Sequence, residues 1–241
     1  MSDPTRIKAV LFDKDGTLFD FRATWDVWTH QVLVDLAKGR DDVLKAMAHD
    51  ARFDLDTRKM QPDSPIIAGT QAEATSILLR HLPEWTFDTL IRHLDERVAV
   101  APLVPATPLP ELLGQLQDMG IATGVMTNDS EAGALAHLKA AGVHEMFDFV
   151  AGYDSGYGAK PDPDPLLAFA QQIGCPPEQT AMIGDSRHDL MAARAAGMVS
   201  VGVLTGVAGT DELSDLADVI LDHIGHLPDW LRSDPNEKAH F

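Results

Sequence analysis

Five short apolar runs, each stopping at a polar turn, constrain what this chain can fold into. They are IKAVLF (7–12), IATGVMTN (121–128), MFDFVAGYD (146–154), TAMIGDS (180–186) and VSVGVLTG (199–206). Short continuous apolar runs suit parallel strands covered on both faces. Between them lie helical patterns, LPELLGQLQDMG, EAGALAHLKAAGV, DPLLAFAQQIG and HDLMAARAAGM, each with periodic apolar residues and a glycine at or near its end. Strand and helix alternate, so the expected fold class is α/β, a doubly wound parallel sheet.

Residues 20–100 break the alternation. They have helical periodicity, no convincing strand and three of the four tryptophans, Trp25, Trp28 and Trp85. A connection of that length is too long for an ordinary crossover and is expected to fold as a helical cap over the sheet edge. VAPLVPATPLPE (100–111), with four prolines, marks the return. The expected division is a core of residues 1–19 and 101–241 and a cap of residues 20–100. The polar tail after Pro228 is expected to fray.

Composition narrows the partners. The chain is 45% hydrophobic, enough for a sizeable core, and its 19 basic against 37 acidic residues leave a formal charge of −18. That surplus repels nucleic acid and anionic membranes at long range, so any anionic substrate must be held by local cations or a metal. The single cysteine, Cys175, permits no intrachain disulfide. With no apolar stretch of signal-peptide or membrane-span length, the expected location is cytoplasmic.

In open parallel sheets ligands bind beyond the carboxyl ends of the strands. The residues there are Asp13 and Asp15, Thr127 and Asn128, and Asp185 with Asp189, while Lys160 lies on the loop after the third strand. Two aspartates separated by one residue can divide covalent catalysis, one as nucleophile and one as proton carrier. Gly16 permits the sharp turn they need. An isolated Asp-Gly is more often just a turn signal, and the agreement of the other strand ends argues against that reading.

With these residues in place the chain resembles the haloacid dehalogenase superfamily, in its phosphatase branch. DKDGT (13–17) looks like its first motif, Thr127 its second, Lys160 its third and GDSRHD (184–189) its fourth. The insert resembles the type 1 cap, and GDSRHDLMAARAAGM with AKPDPDPLL is most similar to phosphoglycolate phosphatases. The resemblance implies a Mg2+-dependent phosphatase for a small phosphomonoester. Asp13 would become an aspartyl phosphate, and Asp15 would act as acid and then base. The Asp15 carbonyl and the Asp13 and Asp185 carboxylates would coordinate Mg2+, supported by Asp189. Thr127, the Asn128 amide and Lys160 would hold the phosphate. A phosphate facing Asp13 and Asp185 meets like charge, costing about 4 kcal/mol per pair at 4 Å and an effective dielectric near 20. Only a divalent cation with Lys160 offsets several such terms.

Alternatives stay open. Phosphomutases of the β-phosphoglucomutase type share the motifs, and a binding or regulatory module without turnover is a further possibility. Asp15, Asp185 and Asp189 argue against dehalogenation. Lys14, where an apolar residue is usual, and FDFRATW (19–25) depart from the pattern and leave the substrate open. Arg22 is the expected specificity residue, placed to pair with a substrate carboxylate. The remaining candidates have blander readings: His188 as an exposed helix residue, His223 and His226 at the surface, Cys175 inert, and Trp25 and Trp28 in the cap core. Arg52, Arg58 and Lys59 are read as solvent-exposed. The expected assembly is a monomer or homodimer.

Overall fold

A computed structural model describes residues 7–61, 63–67, 69–98, 101 and 103–233. The tail beyond Ser233 and part of the proline-rich return lie outside these residues, but the fraying expected after Pro228 is corrected for Asp229–Arg232, which continue a helix that buries Trp230. In chain order the elements are β1 (Ala9–Phe12), α1 (Phe21–Ala37), α2 (Asp41–Asp50), β2 (Phe53–Asp54), β3 (Lys59–Met60), α3 (Gln71–Leu79), α4 (Phe87–Val98) and α5 (Leu109–Asp118). Then come β4 (Ala122–Met126), α6 (Glu131–Ala140), β5 (Phe149–Ala151), α7 (Asp164–Ile173), β6 (Thr180–Gly184), α8 (Arg187–Ala196), β7 (Val199–Val203), α9 (Thr210–Leu213), β8 (Val219–Leu221) and α10 (Leu227–Arg232).

The expected doubly wound parallel sheet is present, with six strands in the order β5-β4-β1-β6-β7-β8. All neighbours run parallel. The chain winds outward from β1 through β4 to β5, then returns to the other side for β6, β7 and β8. The reversal opens a crevice at the carboxyl end of β1, where such folds bind ligands. Side-chain alternation assigns the two faces. Val10 and Phe12 pack with Leu112 and Leu116 of α5 and Trp230 of α10. Ala9 and Leu11 pack with Leu166 and Phe169 of α7 and Ala193 of α8.

Between β1 and β4 the helices α1 to α4 form a separate apolar cluster, including Phe21, Leu33, Met47, Leu78, Leu90 and Leu94. Asp20 caps α1 by accepting the Ala23 N–H at 2.9 Å. The insert also holds an antiparallel hairpin, with Phe53 opposite Met60 and Asp54 opposite Lys59. Each strand has only two residues, too short for any apolar alternation, so the strand-free expectation for this segment is corrected. The sixth strand, β8, was likewise not among the five expected runs. Its three residues are an edge strand, only one of them fully buried.

The segments leaving and re-entering the core are tied to each other. Asp20 donates its N–H to the Val104 carbonyl at 2.7 Å, and Ala106 donates to the Leu18 carbonyl at 2.9 Å. Phe19 bridges both Asp15 and Pro105. Among the described residues no helix is long and apolar enough to cross a membrane.

Candidate active site

Asp13 is the residue after β1, and its N–H donates to the Ile183 carbonyl at 2.8 Å, so it leaves the sheet bound to β6. The chain then turns at Gly16, whose φ of 87° lies in the region L side chains avoid. A Cβ there would also sit 2.4 Å from the Asp185 carboxylate. Glycine is therefore required twice over, and its absence of side chain lets the ends of β1 and β6 meet.

Lys160 Nζ joins Asp13 Oδ1 at 2.5 Å and Asp189 Oδ1 at 2.6 Å, all three side chains buried. The other oxygen of Asp189 accepts from the Ser186 N–H at 3.0 Å and the Ser186 hydroxyl at 2.7 Å, closing the first turn of α8. Asp13, Asp185 and Asp189 place carboxylate oxygens within 4.8 Å of one another. Three carboxylates face one ammonium. Burial, then the Asp13 and Asp189 charges, raise the Asp185 pKa well above its usual value. Burial pushes Asp13 up to about 7 despite Lys160, with Asp189 and Asp15 adding to the rise. Burial works against the Lys160 charge, but Asp13 and Asp189 outweigh it and raise its pKa. Hard oxygen donors with uncompensated negative charge fit a hard divalent cation. Asp13 and Asp185 have the oxygens to hold one, because both oxygens of Asp189 are engaged.

Thr127 and Asn128 follow β4. Asn128 clamps the backbone of Lys160 reciprocally, donating to its carbonyl at 2.9 Å and accepting its N–H at 3.0 Å. Thr127 Oγ1 accepts the Asp129 N–H at 3.1 Å. These residues, Asp13, Asp15, Lys160, Asp185 and Asp189 all line one cleft.

Lys14 is the residue whose importance the sequence did not reveal. Its side chain is 0% exposed, with Nζ 2.5 Å from Asp15 and 3.2 Å from Asp129. It also lies 3.0 Å from His137 Nδ1 and 5.4 Å from the centre of the Trp25 ring. His137 Nε2 is 2.6 Å from the Val98 carbonyl, which assigns the proton to Nε2 and leaves Nδ1 to accept from Lys14. Burial and the adjacent ammonium lower the His137 pKa, in keeping with a neutral ring. Asp15 and Asp129 outweigh burial and raise that of Lys14. Asp129 and His137 carried no motif signal, whereas Asn128 was expected at the strand end. The usable signal was Lys14 itself, a lysine between two aspartates immediately after β1.

Arg22 is not brought to the cleft. Its side chain is 40% exposed and pairs with Asp26 at 3.6 Å, and it is absent from the lining. Arg52 pairs with Asp63, and Arg58 and Lys59 are exposed. Trp25 and Trp28 pack edge to face, 5.3 Å apart, and both line the cleft. His188, expected to be exposed, is half-buried on its wall.

A parallel sheet with three buried carboxylates and a lysine at its switch point places the protein in the Rossmann-like α/β class. Residues 7–197 match the haloacid dehalogenase-like hydrolase model, and the chain belongs to that family. It is a phosphatase of that family, similar over nearly its whole length to phosphoglycolate phosphatases. That of Escherichia coli strain K12 is 33% identical over 239 residues, covering 92% of this chain and 91% of the relative. That of Salmonella typhimurium strain LT2 is 31% identical over 237 residues, with the same coverage. Among solved structures, CbbY from Rhodobacter sphaeroides in complex with phosphate shares the fold, with a TM-score of 0.71 and 23% identity over 92% of this chain and 96% of that one.

Proposed function

We propose that the protein hydrolyses a small phosphomonoester through an aspartyl phosphate on Asp13. The observation that carries the reading is the Lys160 ammonium bound at 2.5 Å to Asp13 beside the buried carboxylates of Asp185 and Asp189. A carboxylate held this way can meet a phosphate dianion only if cations offset the repulsion. Mg2+ would be held by Asp13 and Asp185 with the Asp15 carbonyl, Asp189 in support, and would supply that positive charge.

The residues divide the work. An Asp13 oxygen attacks phosphorus while Asp15 gives a proton to the departing ester oxygen. Asp15 then takes a proton from water, whose oxygen attacks the same phosphorus, releasing phosphate and restoring the Asp13 carboxylate. Lys160 balances charge on Asp13 and the phosphoryl oxygens, and the Thr127 hydroxyl and Asn128 N–H hold those oxygens. Phosphoglycolate, named for the relatives, is the first substrate to try. The lone Cys175 fits a reducing, cytoplasmic setting.

The test is Asp13→Asn. Phosphate release with Mg2+ should disappear while the melting transition persists. Near-wild-type turnover in that variant would sink the mechanism.

A further inference from the structure

The leaving-group side of the cleft differs in chemistry from its phosphate side. Its wall is built by Phe21, Trp25 and Trp28 of α1, Met60 of β3, and Ile66 and Ile67 ahead of α3. Among the described residues the one lysine or arginine lining the cleft is Lys160, already bound by Asp13 and Asp189. Lys14 is committed to Asp15 and Asp129, and Arg22 to Asp26. The one imidazole on the wall, His188, belongs to core helix α8.

A substrate carboxylate placed against this wall would be desolvated without a free cation and would face the carboxylates of the site. A sugar would bury hydroxyls against carbon. An apolar group gains from the same wall, and an aromatic one can add edge-to-face contacts with the tryptophans.

The geometry points to a phosphomonoester whose leaving group is an apolar, aromatic-sized alcohol, in preference to a small phosphorylated acid or a sugar phosphate. This rests on the phosphatase reading above and names the substrate class of the same site.

The experiment compares phosphate release by the Mg2+-loaded enzyme from 2-(4-methoxyphenyl)ethyl phosphate, phosphoglycolate and glucose 6-phosphate. The first is an alkyl ester, so chemical reactivity of the leaving group does not favour it. Its kcat/KM should exceed the other two at least tenfold. Trp28→Ala should raise its KM at least fivefold with little change in kcat. Because that variant can disturb the cap, Ile67→Arg serves as a second: a cation on the wall should weaken the aryl-alkyl ester and improve phosphoglycolate at least fivefold. Equal or better hydrolysis of phosphoglycolate or glucose 6-phosphate by the wild type overturns the inference and leaves the phosphatase reading standing. No phosphate from any of the three overturns both.

Discussion

The Lys14 ammonium lies 2.5 Å from the Asp15 carboxylate, with the lysine side chain wholly shielded from water. The same ammonium holds Asp129 at 3.2 Å, so one cation fixes the proposed proton carrier to the start of the segment after β4. Removing one member of a buried ion pair typically costs about 3–5 kcal/mol, because the partner charges stay buried. Lys14→Met should lower the melting temperature by roughly 6 °C or more. It should reduce kcat more than it raises KM, since the anchor of Asp15 is lost and the phosphate-binding groups remain. Adding Asp129→Asn should recover part of the stability by removing one orphaned charge. Unchanged kcat in Lys14→Met would separate the lysine from the chemistry.

Lys160→Ala should cut kcat/KM at least about a hundredfold, roughly 3 kcal/mol, because Asp13 and the phosphate lose their shared counter-charge. Arg187 is no substitute: it is bound to Asp215 at 2.5 and 2.8 Å. Steady-state kinetics of Arg187→Ala should therefore match wild type. Matching kinetics for Lys160→Ala would mean that another cation serves the nucleophile.

The buried cluster of Asp13, Asp185 and Asp189 gives a pH-dependent stability. In the metal-free fold burial raises Asp13 from 3.8 to about 7, and Asp185 is raised as well. The fold thus keeps protons that the unfolded chain releases. Metal-free stability falls as pH rises through that window and is lowest above about 7. Mg2+ replaces those protons, so the rise in melting temperature on adding Mg2+ should be larger at pH 8 than at pH 6, with EDTA reversing it. Equal rises at both values would place the ion elsewhere.

Asp95 on α4 is a third raised carboxyl, at about 6, through burial and then the charges of Asp129 and Asp154. One of its oxygens is buried without a partner. The fold disfavours its ionised form, a penalty absent near pH 4 and complete above about 6. Allowing for solvent screening, Asp95→Asn should stabilise the protein at pH 7.5 by about 1 kcal/mol, a rise of roughly 2–4 °C. Near pH 4 the difference should vanish. A gain of the same size at both pH values would point to packing instead of charge.

Much of the fold was legible because the five short apolar runs end in turns and alternate with helical patterns. The elements missed, β8 and the β2–β3 hairpin, are two or three residues long and exist through pairing partners, which no local pattern reveals. At the site, Asp13, Thr127, Lys160 and Asp185 could be placed because strand ends converge in a parallel sheet. Lys14 and Arg22 show the limit. Both are cations near Asp13, yet one is buried against Asp15 and the other faces outward to Asp26. Side-chain direction at a turn or on a helix of unknown orientation depends on tertiary packing. The apolar wall was invisible for the same reason: Trp25 and Trp28 read as cap-core residues, and only their arrangement shows that they border open space.

The two segments that cross between the core and the helical unit are joined by the hydrogen bonds Asp20 to Val104 and Ala106 to Leu18. The bonds hold the two exits of the helical unit side by side, with Asp15, bridged to Phe19, next to them. The seam is also a natural place to cut and rejoin. A chimera that keeps Leu18 to Asp20 and Val104 to Ala106 and exchanges everything between should exchange the apolar wall while inheriting this seam and the proton carrier proposed beside it.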